Sequence, residues 1–114
     1  MNDNVKRIGG DGSTLIGGDG STLIGGDGST LTGGRYSTLI GGDWSTLIGG
    51  DWSTLKGGDG STLKGGDGST MCWRIWDGKF YRLHTFYVGE NGVLPNVVYK
   101  FVDGKLTAKS GEEE

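Results

Sequence analysis

Gly9-Gly10-Asp11-Gly12-Ser13-Thr14-Leu15-Ile16 opens an array that runs without a gap to Cys72. Copies of this octad start at Gly9, Gly17, Gly25, Gly33, Gly41, Gly49, Gly57 and Gly65. Both leading glycines, the Ser and the first Thr never vary. Leu gives way once, to Met71, and Asp once, to Arg35; the fourth and eighth positions carry most of the variation. A fixed short period is the mark of a solenoid.

Each octad reads as one turn and one short strand. Gly-Gly-Asp-Gly suits a turn, because Gly reaches positive φ cheaply and Asp bonds nearby backbone. Ser-Thr-Leu-Ile supplies the strand, whose side chains alternate between faces. Leu is the constant apolar position, so Ser13 and Leu15 and their equivalents point inward. Thr14 and Ile16 and their equivalents point to water. Two octads close a coil of about sixteen residues, and stacked coils give two parallel sheets packed back to back. One face then carries Thr14, Thr30, Thr46 and Thr62, and the other Thr22, Thr38, Thr54 and Thr70. Four coils at roughly 4.8 Å make a rod of about 20 Å. The predicted fold is all-β: a parallel β-solenoid, or β-helix, of about four sixteen-residue coils with a C-terminal β-hairpin cap.

The substitutions agree with this coil. Tyr36 and Trp52 lie sixteen apart and are expected to stack on one edge. Arg35 has Asp51 and Asp19 sixteen residues away on either side, and an exposed pair with either contributes at most about 1 kcal/mol. Asp11, Asp27, Asp43 and Asp59 form a column that repels itself unless each carboxylate is taken up by local turn hydrogen bonds or a shared cation.

Composition narrows the function classes. Glycine is 26 of 114 residues, which without the strict period would read as disorder. A net charge of −3 with mixed signs gives no basic footprint for nucleic acid. Cys72 is the single cysteine, so no internal disulfide forms, and its outward eighth position makes it a candidate for linking two chains. No apolar run approaches membrane-spanning length, and Met1 to Ile8 is too polar for a signal peptide. The near identity of the copies points to recent duplication or an idealised sequence.

The segments flanking the array differ in character. Residues 1–8 resemble a worn ninth octad and are expected to cap the first coil. From Met71 aromatic and β-branched residues take over, with strands expected at about 71–76, 79–88, 97–102 and 105–108. Asp77-Gly78 and Asp103-Gly104 are hairpin signals. Residues 73–109 should form an aromatic β cap that plugs the rod, and 110–114 an acidic disordered tail.

Trp73-Arg74-Ile75-Trp76-Asp77-Gly78-Lys79-Phe80-Tyr81, then Gly89-Glu90-Asn91-Gly92-Val93 and Tyr99, directly follow the octads. With that cap, residues 9 to about 107 resemble bacterial ice nucleation proteins, whose repeats have Ala-Gly-x-x-Ser-Thr-x-Thr character. The resemblance implies a cell-surface β-solenoid whose outward Thr rows order water or bind ice. The matching positions are Thr14, Thr30, Thr32, Thr46 and Thr62 on one face and Thr22, Thr38, Thr54 and Thr70 on the other. The chain departs from the family pattern in several places. Only Thr30 and Thr32 form a Thr-x-Thr pair, Asp replaces the family's third-position Tyr, and its arginine-rich coils reduce to Arg35. The family's long array and membrane-associated N-terminal domain have no counterpart in these 114 residues.

Other readings are weaker. Calcium-binding β-rolls repeat every nine residues with a second Asp, where this octad has Ser-Thr; one carboxylate per turn serves a calcium ion poorly. No metal or other cofactor is expected. Tyr36, Trp44 and Trp52 read as stiffening edge residues or as a partner patch, and the Ile rows invite self-association. His84 is the lone histidine, and no nucleophile stands beside a base, so catalysis is not expected. The alternative to water ordering is a structural or self-assembling solenoid scaffold with no ligand.

Overall fold

The computed structural model describes residues 5–102 and 104–108, and all regular structure among them is β-strand. After β1 (Lys6–Ile8), the array contributes β2 (Thr14–Ile16), β3 (Thr22–Ile24), β4 (Thr30–Thr32), β5 (Thr38–Ile40), β6 (Thr46–Ile48), β7 (Thr54–Gly58) and β8 (Thr62–Lys64). The cap comprises β9 (Thr70–Trp76), β10 (Tyr81–Tyr87), β11 (Tyr99–Val102) and β12 (Lys105–Ala108). Every octad strand starts at the invariant Thr; most runs end before Gly-Gly, whereas β7 continues through Gly57 and Gly58 beside β9.

The chain winds as a parallel β-solenoid. Alternate strands belong to alternate sheets, ordered β1-β3-β5-β7-β9-β10 and β12-β11-β8-β6-β4-β2. Parallel pairing is in register at sixteen residues: Thr14 beside Thr30, Leu15 beside Leu31, and so on up both sheets. β1 takes the same register, with Arg7 beside Leu23.

Between the sheets lies a column of fully buried side chains, Leu23, Leu31, Leu39, Leu47, Leu55, Leu63 and Met71. Leu15, in the first coil, is half-buried. The inward serines, Ser21 to Ser69, line the corners of this core. From Ser29 onward their hydroxyls bond to turn carbonyls: Ser45 Oγ lies 2.8 Å from Gly42 O, and Ser61 Oγ lies 3.0 Å from the same atom, while Ser21 Oγ has no partner among the described residues. Ser61 Oγ also accepts the Ser45 N–H at 3.2 Å, so the hydroxyls tie successive coils together. The first glycine of the octad is confined by this ladder. A Cβ on Gly41 would stand 2.6 Å from Ser45 Oγ and 3.1 Å from Leu47 Cδ2.

The cap extends both sheets, with β9 still parallel and β10, β11 and β12 added antiparallel. β9 runs past the octad, pairing Gly57 with Trp73 and Gly58 with Arg74, and β10 folds back along it from Tyr81 opposite Trp76 to Tyr87 opposite Thr70. β11 pairs Tyr99 with Leu63 and Lys100 with Thr62, and β12 lies outside it. Within the array each inward Ser carbonyl accepts the Thr N–H seventeen residues on, as in Thr70 N to Ser53 O at 2.9 Å. The last coils lack such a successor. The cap fills the role: Trp73 Nε1 donates to Ser61 O at 3.0 Å, and Val88 N to Ser69 O at 2.9 Å. Trp73 is fully buried, with Phe86 edge-on at 5.8 Å and Phe101 at 6.2 Å.

The β9–β10 connection is longer than a two-residue turn. Asp77 to Phe80 form a four-residue loop closed by Asp77 N to Phe80 O at 3.0 Å, so β10 starts at Tyr81 rather than 79. Asp77 Oδ1 accepts the N–H groups of Lys79 (2.8 Å) and Phe80 (2.7 Å), which favours the wider loop. Val102 opposite Lys105 leaves the expected two-residue link, of which Gly104 has φ +79° and Asp103 lies outside the described residues. Met1 to Asn4 of the expected N-terminal cap and the expected tail at 110–114 also lie outside them.

Candidate functional site: two threonine faces and two turn edges

The outward rows run straight up each sheet. Thr14, Thr30, Thr46 and Thr62 neighbour one another on one face, flanked by Ile16, Thr32, Ile48 and Lys64. Thr22, Thr38, Thr54 and Thr70 do the same on the other, flanked by Ile24, Ile40, Lys56 and Cys72. Parallel in-register pairing is what aligns identical hydroxyls and methyls at the inter-strand spacing of about 4.8 Å. Thr14, Thr30 and Thr54 are exposed and the others half-buried by their neighbours. The cap bounds both rows, with Tyr87 beside Thr70 and Lys100 beside Thr62.

Cys72 departs from expectation. It is buried, at 8% exposure, where an outward eighth position should be open. β10 places Thr85 directly opposite, with its Oγ1 3.5 Å from Cys72 Sγ, and Lys56 lies on the other side. The thiol is therefore not available to join two chains.

The turns form two edges. One carries residues 9–12, 25–28, 41–44 and 57–60; the other carries residues 17–20, 33–36, 49–52 and 65–68. The fourth octad position is left-handed at every turn, from φ +73° at Gly12 to +76° at Gly60, and this includes Tyr36 (+59°), Trp44 (+60°) and Trp52 (+61°). A bulky residue there is a backbone outlier that costs on the order of 1–3 kcal/mol. The two indoles are seated in the same way, each against the glycine of the following coil. A Cβ on Gly60 would lie 2.5 Å from Trp44 Cε3, and one on Gly68 would lie 2.5 Å from Trp52 Cζ3. Tyr36 and Trp52 share an edge as expected, but no ring contact joins them among the described residues.

The array aspartates bond across coils rather than within their own turns. The carboxylates reach one coil forward and accept a backbone N–H there: Asp11 from Asp27, Asp27 from Asp43, Asp43 from Asp59 and Asp51 from Asp67, at 2.9 to 3.0 Å. Asp19 accepts the Arg35 N–H at 2.9 Å and also pairs with its guanidinium at 2.9 Å. Of Arg35's two expected partners, then, Asp19 makes the ion pair. The Arg35 side chain first, and its backbone N–H second, hold the Asp19 carboxyl below the usual carboxylate range. These bonds disperse the charge of each column into backbone dipoles. They also explain the invariant second glycine, since a Cβ on Gly42 would stand 2.8 Å from Asp27 N and collide with its carboxylate. That invariance was the sequence signal for the ladder.

No family model, curated protein or solved structure matches this chain.

Chemically, the rod offers two in-register hydroxyl-and-methyl faces and two edges of carboxylate, indole and glycine backbone. Among the described residues no three His, Cys, Asp or Glu side chains gather as a metal site. His84 stacks on Phe101 at 4.5 Å, within the cap. The chain is a β-solenoid repeat scaffold with regularly spaced threonines outside and a serine ladder inside.

Proposed function

We propose that the two threonine faces bind ice or an ice-like layer of ordered water. The observation that carries this reading is the unbroken register of Thr14, Thr30, Thr46 and Thr62, and of Thr22, Thr38, Thr54 and Thr70. A flat parallel sheet repeats one hydroxyl and one methyl at a constant interval, which is the regularity that a water lattice requires. Thr30 and Thr32 add a second hydroxyl column at one coil, and Ile at the neighbouring positions keeps the face apolar between hydroxyls. Four coils make a small template, so the expected activity is modification of ice growth rather than nucleation at mild supercooling.

Ice recrystallisation inhibition tests this. The purified protein is compared with a variant carrying Lys in place of Thr in both rows, its fold verified by circular dichroism and melting temperature. Inhibition by the parent and none by the folded variant is expected. Equal inhibition by both would refute the reading. A second reading, a scaffold without a ligand, draws on Lys56 and Lys64 interrupting the Ile rows near the cap; inactivity of both proteins would favour it.

A further inference from the structure

We propose that the edge beside the cap holds a saccharide-binding site in which Trp44 is the stacking platform and Asp59 and Lys100 bind hydroxyls of a neutral sugar ring. The site lies on a turn edge and includes no threonine of either row, although Lys100 borders Thr62, and its test does not depend on ice activity.

The argument starts from the indole. Trp44 occupies a left-handed backbone position that glycine fills at most turns, and its side chain is 69% exposed. An exposed aromatic gains little from burial to offset that backbone cost. The ring is nonetheless fixed, because one side rests on Gly60, where even a methyl group would collide with it. What results is a fixed and largely exposed π surface, bordered by the Lys100 ammonium, of the kind on which the C–H face of a pyranose ring packs.

Polar groups converge on the same place. Asp59 ends its carboxylate ladder. Its N–H bonds to Asp43 Oδ1 at 3.0 Å, but no octad follows to occupy its own carboxylate, which has no hydrogen-bond partner among the described residues. β11 brings in Lys100, whose ammonium stands 5.7 Å from the Trp44 ring centroid. Trp44, Asp59, Gly60, Lys100, Phe101 and Val102 together line a groove of about 270 Å³. A few convergent polar groups beside an aromatic wall are typical of small-ligand sites. The charges decide the ligand class: one carboxylate and one ammonium leave no net preference for an ion. An acceptor and a donor beside a π face suit a ring bearing adjacent hydroxyls.

The test is an NMR titration of the full chain with cellohexaose, maltohexaose and mannohexaose as probes, following the indole N–H and backbone amides. At least one probe is expected to produce saturable shifts centred on Trp44, Gly60 and Lys100. Trp44→Gly restores the octad's own residue at a left-handed position, so the fold is retained; it should abolish the response. Asp59→Ala should weaken it about tenfold, the loss expected for one hydrogen bond to a charged group. Trp52→Gly removes the matching indole on the opposite edge and should leave the response unchanged. Absence of saturable shifts with all three probes would overturn the proposal, as would undiminished binding by Trp44→Gly.

Discussion

At the scale of single residues, glycine in this repeat does two different jobs. The fourth position needs a left-handed backbone, whereas the second needs absence of a side chain. The two can be separated by experiment. Gly42→Ala, which drives a methyl group into Asp27, is expected to cost about 1–3 kcal/mol in chemical denaturation; an unchanged midpoint would mean that the ladder yields easily. Trp52→Gly relieves the backbone but loses the contact with Gly68, so its melting temperature should stay within the equivalent of about 1 kcal/mol of the parent. Asp77 makes a further prediction. Arg82 Nε at 2.9 Å, then the Phe80 and Lys79 N–H groups, hold its carboxyl well below the usual carboxylate range. A depressed folded value means that its contribution is complete above an ordinary Asp pKa of about 3.9 and is lost as pH falls through the lower folded value. The Lys79 and Phe80 amide shifts should therefore hold through pH 4 and move only in stronger acid; a titration centred on the ordinary value would contradict this. Little of this chemistry is legible in the sequence. An Asp-Gly turn suggests local bonding, and nothing in one octad reveals that its carboxylate belongs to the backbone of the next coil. The left-handed Tyr36, Trp44 and Trp52 are equally hidden, because variation at a glycine position reads as tolerance rather than as strain.

At the scale of elements, the octad strands were readable because period and alternation agree: Ser and Leu inside, Thr and the eighth residue outside. The core that follows is two inward ladders, one from each sheet, so few neighbours can fill the space of a lost Leu. Leu47→Ala should cost about 2–5 kcal/mol. The cap strands were readable from their composition, but their task was not. Trp73 and Val88 take up serine carbonyls that the missing next coil would otherwise have used. Trp73→Ala therefore removes both a buried ring and a hydrogen bond, with an expected loss of about 3–5 kcal/mol. Hydrogen exchange should then rise first in β8 and β9 and last in β4 and β5; uniform exchange along the rod would show that the cap is not what secures this end. Cys72 illustrates the limit of counting positions. Its place in the octad is outward, yet β10 returns across it, and only the pairing of Thr85 with Cys72 reveals that. In the folded protein the thiol should resist a bulky aromatic disulfide reagent and react on unfolding; prompt reaction under native conditions would disprove this burial.

At the scale of the whole molecule, the two proposed activities divide between faces and edges. The faces repeat and are nearly uniform, so any activity there must grow with the number of coils, and proteins with added octads should inhibit recrystallisation at lower concentration. The edges differ from coil to coil, which suits them to a discrete ligand. The chain also behaves as a screw whose thread is half a coil. Each octad pairs with the one two places on, and β1 and β10 fall in the same sheet because an even number of octads separates them. Adding a single octad leaves every pairing rule intact. It advances the cap by about half the 4.8 Å coil spacing and turns it by half a revolution relative to the first strand. The parity of the repeat number is thus an orientation setting: one duplication of eight residues moves β1 and β10 to opposite sheets, with no change in any side-chain contact within the core.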